Sequence, residues 1–161
     1  MKAVVVFDAL RNGCKSYSSI ARYADVCGVA ISEKTIRRHI NLLWSIGYKV
    51  HESKDGFLIT GRPKVLRNHK SNDPSIIDPC PSAYPILILN IFEGIENFRL
   101  DQKTILFLLK KDYKCNISRR ALSRNINGLR ELGYIIDHNK EGYKLLGKIK
   151  VLNGEKTILN K

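Results

Sequence analysis

From Ser32 onward, apolar side chains recur at helical spacing. Ile36, Ile40, Leu43 and Trp44 form one stripe, and Lys34, Arg37, Arg38 and Asn41 fall largely on the other side. Ser32 suits an N-cap, since its hydroxyl can accept from the free amides of the first turn, and Glu33 favours the positive end of the helix. Gly47 stops the helix. Residues 48–52 and 57–60 then read as two strands around Ser53-Lys54-Asp55-Gly56, with Asp55-Gly56 as the hairpin signal. Upstream, residues 3–11 predict a first helix ending near Asn12-Gly13. Residues 17–27 predict a second, with Ile20, Tyr23, Ala24 and Cys27 on one face and Gly28 at its end.

The same plan returns downstream. Residues 83–95 and 100–112 predict two helices, and Ser118 caps a third whose buried stripe is Leu122, Ile126, Leu129 and Leu132. Gly133 closes it, and residues 134–137 and 143–146 predict a hairpin around residues 139–142. Laid on residues 32–61, residues 118–147 align without a gap at an offset of 86, with ten of 30 positions identical. Gly47/Gly133, Tyr48/Tyr134, Lys54/Lys140, Gly56/Gly142 and Gly61/Gly147 are among them, and Gly61 and Gly147 read as wing-ending glycines. Two copies are too few for a solenoid and fit two similar small domains in tandem. The expected fold is mainly α with small β-hairpin wings, an α+β class. Its domains are 1–61 and 85–147, with a linker at 62–84 that holds four prolines and an extension at 148–161. The extension reads either as a hairpin through Asn153-Gly154 or as a loosely held tail, and the sequence leaves both open.

Charge narrows the partner. The 161 residues carry 28 basic and 15 acidic side chains, a net +13. The excess is +4 over residues 1–61, +2 over 62–84 and +7 over 85–161, so the whole chain is basic rather than one tail. Such a balance favours a polyanion, nucleic acid ahead of a membrane surface. Cys14, Cys27, Cys80 and Cys115, and His39, His51, His69 and His138, are scattered without zinc spacing, which suggests free thiols in a reducing compartment. Residues 85–92 and the apolar start near residue 3 are too short to span a bilayer. A cytoplasmic, nucleoid-associated protein without cofactor or small-molecule ligand is expected. Asp101, Asp112 and Asp137 are isolated and read as helix-start, helix-end and wing residues, so the chain is not expected to be an enzyme.

Three helices and a hairpin make the winged helix-turn-helix plan, and the repeated phrase Leu-x-x-x-Gly-Tyr followed by Gly-aromatic-x-apolar is more specific. In SEKTIRRHINLLWSIGYKVHESKDGFLI and SRRALSRNINGLRELGYIIDHNKEGYKL it resembles the DNA-binding domains of the biotin-operon repressor and DeoR-like bacterial regulators. The resemblance covers about 60 residues of each half and is weaker before Ser32. It implies that the third helix of each copy enters the major groove, N-terminal end first. Ser32, Lys34, Thr35, Arg37 and Arg38 would then face DNA in the first copy, with Glu33 opposing phosphate. Ser118, Arg119, Arg120, Ser123, Arg124 and Asn127 would do so in the second. Lys54 and Lys140 sit at the wing tips. Arginine can pair bidentately with guanine and asparagine with adenine.

Arg38 and Asn41 read equally as internal hydrogen-bonders, and Trp44, Tyr48, Tyr134 and Tyr143 as packing residues. Gly61-Arg62-Pro63-Lys64 resembles the core of an AT-hook and reads alternatively as solvated linker. The expected function is sequence-specific binding of double-stranded DNA, as a transcriptional regulator or a mobile-element or viral accessory factor. A replication initiator, a recombination directionality factor and a winged-helix adaptor that grips another protein are the alternatives. Homodimerisation is left open.

Overall fold

The computed structural model describes residues 1–61, 80–95, 98–152 and 155–160, with side chains as far as residue 149. The AT-hook-like Arg62-Pro63-Lys64 and most of the linker lie outside the described residues. The chain divides into two compact units, Met1–Ile86 and Leu87–Lys161.

In the first unit, α1 (Lys2–Arg11), α2 (Tyr17–Val26) and α3 (Glu33–Ser45) precede a hairpin of β1 (Lys49–Ser53) and β2 (Gly56–Thr60). The second holds α4 (Tyr84–Gly94, beginning just ahead of the division), α5 (Gln102–Tyr113) and α6 (Arg119–Glu131), then β3 (Tyr134–Asn139), β4 (Gly142–Leu152) and β5 (Glu155–Asn160). This is a winged-helix architecture, built twice. Apart from α1, which begins after Met1 with no side-chain cap, and α4, the helices start where a small polar side chain satisfies a free amide. Ser16 accepts from Ser19 N, Ser32 from Thr35 N, Asp101 from Thr104 N and Ser118 from Ala121 N. α3 and α6 end at Gly47 and Gly133, both with positive φ.

The core of the first unit comes from α1, whose residues Ala3 to Leu10 are all buried, together with Ile20, Ala24, Ile36, Ile40, Leu43, Tyr48, Val50 and Phe57. In the second, Leu87 to Phe92, Leu100, Ile105, Leu109, Leu122, Ile126, Leu129, Tyr134, Ile136 and Tyr143 are buried. Two expectations for the buried stripes change. Trp44 stays 45% exposed because its indole turns to donate from Nε1 to the Val50 carbonyl (2.8 Å), and His39 is buried instead. Leu132 is only half-buried, at the helix end, and Gly128 lies inside.

Both wings contain a connection that no periodicity announced. The segment between the first two helices runs beside the start of the second wing strand, by one hydrogen bond in the first unit and as a one-residue bridge in the second. Phe57 N donates to Lys15 O at 2.7 Å. In the second unit Leu100 and Tyr143 exchange both hydrogen bonds, at 2.8 and 2.9 Å. This crossing explains the repeated glycine at 56 and 142. Their φ values are +106° and +128°, and a Cβ would stand 2.2 Å from Lys15 O or 2.4 Å from Leu100 O. Glycine therefore opens β2 and β4 rather than forming the turn tip. The two turn residues are 54–55 and 140–141. Side chains just before the tip close the turns: Ser53 Oγ accepts from Asp55 N, and Asn139 Oδ1 from Glu141 N.

The C-terminal extension resolves into a hairpin. β4 continues past Gly147 and pairs with β5, Gly147 lying opposite Asn160. Gly147 is thus an internal strand residue, whereas its counterpart Gly61 has a φ of +72° just past β2. A bulge places Leu146 between the partners of Ile135 and Ile136, which bends β4 there. Ile149 N then donates to Gly133 O at 2.8 Å, tying the lengthened strand to the end of α6.

Candidate nucleic-acid interface

α3 and α6 each bury one stripe and expose the rest, so their outward faces follow from the pattern that packs them. On α6, Arg119, Arg120, Arg124 and Asn127 are exposed and Ser123 is half-buried. Among the described residues no carboxylate pairs with Arg119, Arg120 or Arg124. The Ser118 hydroxyl accepts from Ala121 N at 3.1 Å, leaving its proton free to point outward. Arg119 and Arg120 thus stand in the first turn of α6, at the positive end of its dipole, with Arg124 one turn further along.

On α3, Lys34, Arg37, Arg38 and Asn41 are exposed, and Thr35 is half-buried with its hydroxyl 3.0 Å from Ser32 Oγ. Arg37 is engaged. Its Nε donates to Tyr17 Oη at 3.3 Å, its guanidinium lies 5.7 Å from the centre of the Tyr17 ring, and Glu33 is 3.8 Å away. The Tyr17 hydrogen bond, ahead of the Glu33 charge, raises the Arg37 pKa further. The position that carries Arg119 on α6 carries Glu33 on α3. Charge on the two outward faces therefore differs in both amount and availability.

Behind each face a residue at the start of the second helix reaches the third. Tyr17 meets Arg37 and packs edge-on against Phe57, with centroids 5.0 Å apart. Gln102 occupies the same place in the second unit; its Nε2 lies 3.2 Å from Tyr143 Oη and 3.4 Å from Ser123 Oγ. At the far end of the helix, Trp44 and Arg130 occupy matching positions. Trp44 donates to Val50 O, and Arg130 donates from Nε and Nη2 to Ile136 O at 3.0 and 2.8 Å. Arg130 Nη1 also holds Asn127 Oδ1 at 3.2 Å, which fixes one side of that amide. Helix and wing are thereby locked into one frame.

The wing tips Lys54 and Lys140 are exposed. In the second unit Arg99 clamps the wing from below. It donates to Asp137 and to the Gly142 carbonyl (3.3 Å), and Glu141 lies 3.7 Å from its Nε. The Arg99 hydrogen bond holds the Asp137 carboxyl below its ordinary pKa. His138 stacks on Tyr143 at 4.1 Å. The matching position to Arg99 in the first unit is Cys14, which supplies no such clamp.

Sequence reading missed Tyr17, Gln102 and Arg99. One signal was available. Ahead of the third helix the two copies align at an offset of 85 rather than 86, which sets the caps Ser16 and Asp101 opposite each other. Among the described residues no helix is long and apolar enough to cross a membrane, and no group of three His, Cys, Asp or Glu residues could hold a metal. Comparison with known proteins finds no matching family model, no matching curated protein and no matching solved structure.

Proposed function

We propose that the protein binds double-stranded DNA in a sequence-dependent way, using the outward faces of α3 and α6 and the wing tips. The observation that supports it most is the set of Arg119, Arg120 and Arg124, exposed and without an acidic partner among the described residues, at the N-terminal half of a helix held rigidly to its wing. Arginine in that setting can take guanine edges bidentately, and the capped helix start suits phosphate oxygens. Ser118, Ser123, Asn127 and Lys140 complete the proposed contact in the second unit. Ser32, Lys34, Thr35, Arg37, Arg38 and Lys54 do so in the first, where Glu33 weakens it. Two modules on one chain raise the effective concentration for the second contact, so two modest binders give one tight complex. A regulatory or accessory role on DNA follows from that chemistry.

The test is selection from a random duplex pool of roughly 40 base pairs, long enough for two half-sites one or more helical turns apart. It is run at two salt concentrations. Enrichment of a motif with two recurring half-sites is the expected result. With about 6–10 phosphates neutralised, affinity should fall by about three to five decades from low to moderate salt. Absence of binding at low salt sinks the proposal.

A further inference from the structure

α5 has a second face that the proposed DNA contact does not use. Its buried residues are Ile105, Leu109, Asp112 and Tyr113. Lys103, Phe107, Lys110, Lys111 and Lys114 are all exposed and recur at the spacing of a single helical face, away from that core. Phe107 is 59% exposed, and the Lys111 ammonium lies 5.4 Å from the centre of its ring. Among the described residues no carboxylate pairs with Lys110, Lys111 or Lys114, while Lys103 lies near enough to the Asp101 carboxylate to help lower its pKa. A solvated helix face has no need of a phenyl ring at its centre.

The first unit shows that the fold does not require this surface. The corresponding face of α2 carries Ser18, Arg22, Asp25 and Val26, with neither the aromatic centre nor the run of lysines. Even the residue at the helix end differs. The left-handed position is Gly28 in the first unit (φ +73°) and Lys114 in the second (φ +52°). Glycine serves that backbone at no steric cost, so lysine there adds charge at the expense of conformational ease.

We propose that this face of α5 docks an acidic protein segment carrying an apolar side chain among its carboxylates. Four ammoniums around one exposed ring match such a segment: the ring packs on the apolar residue while the lysines meet the acidic rim. A duplex backbone would use the lysines and leave the ring without an apolar surface. A single strand would call for a groove and successive stacking platforms, and this convex face offers one ring. The partner is thus distinct from DNA.

The experiment uses the full-length protein labelled with nitrogen-15 and two probes. One is a synthetic peptide of Glu-Glu-Leu-Glu repeats; the other is an oligothymidine of about 20 nucleotides. Expected are amide shifts centred on residues 103–114 with the peptide, and a loss of peptide affinity of about tenfold in Phe107→Ser. A paired Lys110→Glu, Lys111→Glu variant should weaken the peptide further, and a leucine-free polyglutamate should be indifferent to Phe107→Ser. Phe107 is exposed, so the variant keeps the fold, which its amide spectrum verifies, and its binding to a selected duplex should be unchanged. Peptide shifts confined to α6, or peptide binding indifferent to Phe107→Ser, overturn the proposal. So does Phe107-dependent binding of the oligothymidine without the peptide, which would assign the face to single-stranded nucleic acid.

Discussion

The two units solve the same backbone problems with different side chains. Val50 O and Ile136 O are equivalent carbonyls, met by an indole in one unit and a guanidinium in the other. The contact between second and third helix is Tyr17 to Arg37 in the first unit and Gln102 to Ser123 in the second. What stays the same is what the backbone alone demands: serine caps before α3 and α6, and glycine where a crossing strand forbids a Cβ. The frame is thus held constant while the outward faces diverge. In the first unit one arginine is occupied by a tyrosine and a glutamate; in the second, three have no acidic partner among the described residues.

That contrast can be pressed in four ways. The largest effect is expected on DNA affinity. Arg119→Ala with Arg120→Ala should cost about 2–4 kcal/mol of binding, against roughly 1 kcal/mol for Lys34→Ala with Arg37→Ala. Both are read by titration of a selected duplex. Equal losses would mean that the pairing of Arg37 makes no difference. Next comes the glycine at the crossing. Gly142→Ala and Gly56→Ala should each destabilise their own unit by about 2–3 kcal/mol, through the positive φ and the collision with Leu100 O or Lys15 O. Denaturant unfolding followed by Trp44 fluorescence reports the first unit, and amide exchange reports the second.

Acid should then separate the units. Burial, and after it the neighbouring Arg38, amino terminus and Lys2, lower the His39 pKa from 6.5 to about 4. Its Nε2 has no hydrogen-bond partner among the described residues. A neutral histidine in the fold contributes stability that is complete above pH 6.5 and is lost as pH falls toward 4, a loss on the order of 2 kcal/mol. The matching residue in the second unit is Asn125, which does not titrate; its amide donates to Ala121 O. Asp137, held down by Arg99, contributes above its ordinary 3.8 and loses that contribution only below it. Amide spectra between pH 7 and 4 should therefore show the first unit loosening first, and His39→Leu should abolish the difference. The smallest effect tests interchangeability. Trp44→Ala should cost about 1–2 kcal/mol, while Trp44→Arg, copying Arg130, should cost less than about 1 kcal/mol in thermal unfolding.

Much of the frame was legible because it repeats. The stripes through Ile36, Ile40 and Leu43 and through Leu122, Ile126 and Leu129, the serine caps and both hairpins stand where periodicity put them. The rest escaped for physical reasons. A single crossing residue such as Lys15, or the one-residue bridge at Leu100, has no period to detect, and the single-residue change of offset hid the match around it. Trp44 fits an apolar stripe by spacing, yet its N–H seeks a carbonyl and holds the ring at the surface. Gly147 repeats Gly61 in identity, but β5 pairs beside it and changes its role. Of the outward residues, sequence showed the identities; their pairing, as for Arg37, depends on neighbours twenty positions away.

The strand crossing also bears on the order in which the chain can assemble. Leu100 and Tyr143 lie 43 positions apart, whereas Arg130 and Ile136 are separated by six. Closing the longer loop costs about 2 kcal/mol more in chain entropy than closing the shorter. The third helix and its hairpin can therefore find each other through local encounters, and the crossing strand arrives as a bolt slid home last. Each wing acquires its final bearing only when the helices upstream have gathered.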